Sequence, residues 1–215
     1  MRILEIVKQP RLRMGPDRLM MAAQEMSNCR DWYIRHEPLI DELFQEDAKL
    51  FKALLSATSQ ACSVQTNVPL ALKAYQQLKR GQPFTGYLPA VSRNLDRLRG
   101  EQALFGPKIS AFDGAMNNKA DEVAVDRHIG ELLFGNPKPT LGQIRKGKVV
   151  IEKIAKRLGW EPREVQASLW AYNKMIRGED PESVVTYHTV LNNKREEIQL
   201  IRKAFQELQQ GKQAA

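Results

Sequence analysis

Two cysteines, three histidines and the lack of a long apolar run set the first limits on this 215-residue chain. Cys29 and Cys62 stand 33 positions apart, with no CxxC pair and no Cys/His cluster, which excludes a cysteine-ligated zinc or iron–sulfur centre. Two free thiols fit a reducing compartment. His36, His128 and His188 form no HxH or HxxxH pairing, so no metal site is expected. No stretch approaches the roughly eighteen uninterrupted apolar residues of a membrane span. The opening MRILEIVKQPRLRMG threads charges through its short apolar run, unlike a signal peptide. The absence of G-x-S-x-G argues against a serine hydrolase, and the absence of Walker-type and G-x-G-x-x-G loops argues against a nucleotide cofactor. The expectation is a cytoplasmic protein with no cofactor, no metal and no membrane partner, and nothing points to an obligate protein partner.

What is present is globular and basic. Hydrophobic residues make up 42 % and charged residues 27 %, and a chain of this length buries roughly 70 % of its unfolded surface. The net charge of +8 is concentrated. Between Asn136 and Arg177 stand ten basic residues, Arg145, Lys146 and Lys148 among them, against three acidic ones. Such a face suits a polyanion, because each neutralised phosphate releases counterions. A solvated helix surface is the equal alternative when charge stands alone.

The apolar periods are helical throughout. Leu39, Leu43, Phe44, Leu50, Phe51, Leu54 and Leu55 predict one helix over 39–55, with Pro38 at its start. Further helices are expected from Pro69 to Arg80, from Pro89 to Leu98, over Val149–Leu158, from Pro162 to Ile176, and from Pro181 to Gln210, several ended by glycine. Strand-like alternation is confined to Val123-Ala124-Val125, so the fold class is all-α. Residues 1–37 receive no role.

Three short segments carry candidate chemistry. In Leu104-Phe105-Gly106-Pro107-Lys108-Ile109, Gly106 allows a tight turn and Pro107 presets the first helical position. Lys108 then projects from a helix N-terminus, whose free N–H groups suit a phosphate and whose dipole favours a neutral, nucleophilic amine. A lysine so placed is most often only a solvated charge. In Val123-Ala124-Val125-Asp126-Arg127-His128-Ile129, Asp126 follows a buried run at the mouth of an apolar helix, as an N-cap, a functional carboxylate, or both. Ser59-Gln60-Ala61-Cys62-Ser63-Val64-Gln65-Thr66-Asn67 interrupts apolar helices, either as a plain turn or as a polar loop that faces a ligand. Trp160 and Trp170 read as core aromatics.

In order and spacing, the three segments resemble the helix-hairpin-helix DNA glycosylase superfamily of the endonuclease III type. That family places the lysine of a G-x-G-R-K-T-A hairpin seventeen intervening residues before the aspartate of an I-A-V-D-T-H-I-like segment, the separation of Lys108 from Asp126. Its Q-A-T-D-V-S-V-N stretch is matched by Gln60, Val64 and Asn67 in register. The resemblance covers about residues 51–134. It implies a helix-hairpin-helix bundle over residues 38–135; the residues that follow have no counterpart in it, and the basic helical region 136–215 is expected to pack on that core. Leu104 stands where the family hairpin has its first glycine, the stretch from Gln60 to Lys108 is shorter, and no four-cysteine cluster follows the aspartate, so the implied bundle has no iron–sulfur cluster.

The resemblance also implies roles. Asp126 would stabilise a sugar that turns cationic as its base departs, and Lys108 would attack the same anomeric carbon, giving a Schiff base and abasic-site lyase activity. Gln60 would fill the gap left by an extruded base. Gly106, Asn67, Arg127, His128, Arg145, Lys146 and Lys148 would contact double-stranded DNA, His128 as a structural partner in a pocket wall. The implied function is a DNA glycosylase acting on a damaged or modified base, nucleoid-associated or in a phage-infected cell. A non-catalytic DNA-binding accessory protein of the same fold, and an enzyme of phage DNA base hypermodification, stay open.

Overall fold

A computed structural model of the chain describes residues 12–179 and 186–213, with side chains up to residue 207. All regular structure among them is helical. The α-helices run in the order α1 (Pro16–Glu25), α2 (Glu37–Phe44), α3 (Ala48–Thr58), α4 (Val64–Lys79), α5 (Pro89–Arg99), α6 (Pro107–Met116), α7 (Arg127–Phe134), α8 (Leu141–Leu158), α9 (Pro162–Met175), α10 (Tyr187–Asn193) and α11 (Arg195–Gln213). The chain divides into two compact units, one made of Met1–Asp31 with Ala120–Ser183 and the other of Trp32–Lys119 with Val184–Ala215.

The first unit gathers α1, α7, α8 and α9 around one apolar core. Leu19 of α1, Ile129 and Leu133 of α7, Ile151 of α8 and Val165 and Leu169 of α9 are each fully buried. Full burial of a side chain of this size stabilises by roughly 1.5–3 kcal/mol. Gly147 lets α8 approach closely, because a Cβ there would come within 3.2 Å of Leu133 and Val125. The helix starts are written in polar residues. At α8 the Thr140 hydroxyl accepts from the Gln143 N–H at 3.3 Å while the Gln143 side chain accepts from the Thr140 N–H at 2.9 Å. At α9 Glu164 accepts from the Glu161 N–H at 2.8 Å.

The second unit is arranged about α3, which packs on α2, α4, α5 and α6. Phe51, Leu54, Leu55 and Ala57 of α3 are fully buried. Phe51 stacks on Phe44 with centroids 3.7 Å apart, and Tyr75 meets Phe44 edge-on at 5.5 Å. The one cation in this helix face, Lys52, is 6 % exposed and donates to Glu37 at 2.6 Å.

Several sequence expectations are corrected here. The single helix expected over 39–55 is two, because Gln45 adopts φ +49 and the polar run Gln45–Asp47 forms a short 3-10 turn. The helix expected from Pro69 begins at Val64, where the Ser63 hydroxyl accepts from the Thr66 N–H at 3.2 Å, and Pro69 lies inside it. Val123-Ala124-Val125 is buried and forms no strand, in keeping with the all-α reading. The helix expected from Pro181 to Gln210 is α10 and α11, and its proposed start at Pro181 lies outside the described residues. The boundaries expected at residues 37 and 135 fall inside the units. The apolar face of α7 is satisfied by α8 and α9, residues 16–31 supply α1 to the same core, and the segment 136–215 is shared, with α10 and α11 packing on α2 and α4.

Candidate functional site

In the second unit α5 and α6 are joined by a short hairpin loop over 100–106. α5 stops at Gly100, Glu101 takes φ +54, and the Gln102 N–H folds back to donate to the Arg97 carbonyl at 2.8 Å. The other end of the hairpin turns at Gly106, whose φ of +109 with ψ +134 belongs to glycine, and Pro107 opens α6. Leu104 points into the core at 8 % exposure, and its carbonyl accepts from the Ser110 hydroxyl at 2.9 Å.

Lys108, in the first turn of α6, is half-buried over the ring of Phe112 at 5.4 Å. Its Nζ donates to Oγ of Ser59 at 3.0 Å and to the Ser59 carbonyl at 3.3 Å. The hairpin lysine and the polar turn after α3 therefore meet across 49 positions of sequence. Gln60 is half-buried in that turn, and Ala61 takes φ +55. Cys62 donates to the Thr58 carbonyl at 3.2 Å. Burial pushes its thiol pKa up, with Lys108 opposing, so Cys62 is not a poised thiolate.

Asn67 is not a surface contact, which corrects the expectation for it. It is 1 % exposed on α4, its amide donates to the Leu55 carbonyl at 3.0 Å and to the Tyr187 hydroxyl at 2.6 Å, and it accepts from the Thr58 hydroxyl at 2.7 Å. With its amide donating in two directions and its oxygen occupied, it ties α3 and α4 to α10. Tyr187 is the partner that sequence reasoning missed.

In the first unit Asp126 caps α7. Its Oδ1 accepts from the N–H groups of His128 and Ile129, each at 3.0 Å, and the residue is half-buried. Both cap bonds fall on one oxygen, so Oδ2 takes no part in capping. Arg127 is exposed, and its Nε donates to Nε2 of His128 at 3.2 Å. His128 is only 7 % exposed, with Nδ1 3.3 Å from the buried Asn173 amide and its ring edge-on to Trp170 at 6.0 Å. Burial lowers its pKa, with Asp126 opposing. His128 is thus a buried residue and not a surface contact. Trp160 packs against the core under the guanidinium of Arg30 at 4.1 Å.

The basic segment is thinner than its composition promises. Arg145, Lys153 and Lys156 are exposed on α8, and Lys146 and Lys148 are half-buried. Lys148 reaches Glu122 at 4.0 Å, Arg157 pairs with Asp17 at 2.8 Å, Arg177 with Glu131 at 2.6 Å, and Lys174 with Glu179. Arg163 is buried at 6 % against Glu161 and leaves the face altogether. A second basic segment escaped notice: residues 73–108 hold seven basic side chains against two acidic ones, an excess hidden in the total by acidic residues elsewhere. Counting charge in windows would have found it.

Among the described residues, no group of three or more His, Cys, Asp or Glu is placed to hold a metal ion, and no helix is long and apolar enough to cross a membrane. The described residues thus make an all-helical protein. A family model matches residues 19–180, and the chain belongs to that family, a family of unknown function designated DUF7178. No curated protein and no solved structure matches it.

Proposed function

We propose that the protein binds double-stranded DNA and cleaves the N-glycosidic bond of a damaged or modified base, with Lys108 as the amine and the carboxylate role that the resemblance implies for Asp126 tested separately. The observation that carries this reading is the contact of Lys108 Nζ with Ser59, next to Gln60, because it joins two of the three segments on which the resemblance to the helix-hairpin-helix glycosylases rests. The neutral amine of Lys108 would attack the anomeric carbon. The bond from that carbon to the base nitrogen would break, its electron pair and a proton going to the base, and the amino sugar would open to a protonated Schiff base.

The test is borohydride trapping on a duplex with one abasic site, using the wild type and Lys108→Ala. A covalent adduct made by the wild type and lost in the variant is the expected result. An equal adduct in both overturns the role of Lys108, and an absence of adduct together with an absence of released base from any modified duplex overturns the glycosylase reading. Asp126→Asn is the companion variant, since asparagine caps a helix nearly as well as aspartate and so removes charge without removing the cap.

A non-catalytic DNA-binding protein of the same architecture is the second reading. It is favoured by the two cap bonds of Asp126 and the two bonds of Lys108 to Ser59, which give both residues structural work. It predicts salt-sensitive duplex binding without product, and unchanged binding when Asp126→Asn is made.

A further inference from the structure

The tip of the hairpin between α5 and α6 presents a side chain that glycosidic chemistry leaves unused. Phe105 is 74 % exposed, more than any other large apolar side chain among the described residues. Its backbone is nonetheless held on both sides by one buried amide. The Phe105 N–H donates to Oδ1 of Asn94 at 2.7 Å, Nδ2 of Asn94 donates to the Phe105 carbonyl at 3.2 Å, and Asn94 is 4 % exposed. An aromatic ring fixed outward from a rigid turn presents flat area to a partner with little ordering cost on binding.

The surroundings of the ring are cationic. The Arg97 guanidinium lies 5.9 Å from its centroid and is itself pinned to the hairpin, Nε donating to the Ala103 carbonyl at 2.7 Å. Arg93 stands four residues earlier on α5, on the face that carries Arg97, and is exposed. A second aromatic and cationic group recurs in the loop before α5, with Arg99 over Phe84 at 4.2 Å and Lys73 over Tyr87 at 5.2 Å. The whole segment 73–108 carries the basic excess already described.

We infer that Phe105 is a stacking platform for an unpaired base of single-stranded nucleic acid, with Arg97 and Arg93 on the flanking phosphates. A phenyl ring has no donor or acceptor to read a base edge, but every base offers it a π-face, and in a duplex both faces are already stacked. Guanidinium groups beside the ring match phosphates in charge and geometry. An apolar protein partner would call for a broader patch than one ring bordered by two guanidinium groups. The inference involves no bond cleavage and does not depend on the glycosylase reading.

The test is fluorescence anisotropy of a labelled oligothymidylate, and of a duplex of equal length, over a salt series with the full chain, Phe105→Leu and Arg97→Ala. Phe105→Leu is expected to weaken oligothymidylate binding about tenfold, the weight of one stacked base, without changing the salt slope or duplex binding. Arg97→Ala is expected to lower the salt slope by about one counterion. Failure of the wild type to bind the single strand overturns the inference. So does a Phe105→Leu variant that melts and binds like the wild type, or one whose only change is a loss of self-association in sedimentation, which would make the ring a protein contact. A missing borohydride adduct leaves this inference standing, and a failure here leaves the trapping result standing.

Discussion

At the scale of single residues, buried polar groups set the stability of the second unit. Asn67 bonds Leu55, Thr58 and Tyr187 at once, and although the Thr58 hydroxyl can fall back on the Leu54 carbonyl at 2.7 Å, Asn67→Ala is expected to cost about 1–3 kcal/mol, read as a shift in urea midpoint. His36 behaves differently because it holds no charge. It is 1 % exposed, Nε2 lies 3.2 Å from Sδ of Met116, and Trp32 and Tyr187 meet its ring edge-on. Burial, reinforced by the positive charges of Lys52, Arg35 and His188, lowers its pKa to about 3. The folded protein keeps this ring neutral while the unfolded chain protonates it below its ordinary 6.5, so between those values the unfolded state binds the extra proton. Stability is therefore expected to drop as the pH is lowered from 6.5 through that window, by up to ~1.4 kcal/mol per pH unit, and His36→Phe is expected to flatten the slope of urea midpoint against pH. Neither role was legible in the sequence. The motif stretch that contains Asn67 points to a ligand as readily as to a core, and its decisive partner Tyr187 is 120 positions away.

At the scale of elements, two turns carry unusual backbone. Gly106 sits at φ +109, and although nothing crowds its Cβ direction, Gly106→Ala is expected to cost about 1–3 kcal/mol from backbone strain alone, measurable by thermal melting. Gln45, at φ +49 with ψ −119, is the reverse case. Gln45→Gly is expected to raise stability by about 1 kcal/mol in the same assay, less a small loss from the exposed bond that Arg202 donates to the Gln45 side chain at 2.8 Å. Proline starts, glycine stops and apolar spacing located α5 and α9 to within a residue, whereas α8 begins at Leu141, eight residues before the expected Val149, behind its Thr140 cap. The break between α2 and α3 was not readable, because Leu43 to Leu50 and Phe44 to Phe51 are each seven apart and keep the helical period across the polar run. The early start of α4 was hidden by Pro69, which is tolerated in the second turn of a helix whose first turn is capped by Ser63.

At the scale of the whole molecule, the division into units explains why segment boundaries were not legible. Apolar spacing reports that a face is buried and is silent on which distant helix covers it, and α1 and α7 are brought together from opposite ends of a hundred-residue excursion. Removal of residues 1–31 is expected to strip Leu19, Ala22 and Ala23 from the core of the first unit. Limited proteolysis of the truncated chain should then cut within 120–179 well before it cuts within α3 or α4; equal resistance of both regions would refute the assignment of α1 to that core. The path of the chain, which visits the first unit, the second, the first and the second again, also bears on synthesis. A ribosome delivers α1 long before its partners α7 to α9, and α2 to α6 long before α10 and α11 supply Tyr187, so neither core can close when its first helices emerge. The nascent protein must carry open apolar faces while the intervening helices are made, which makes it a natural client for chaperones that bind such surfaces, and neither unit can be exchanged by moving one continuous segment.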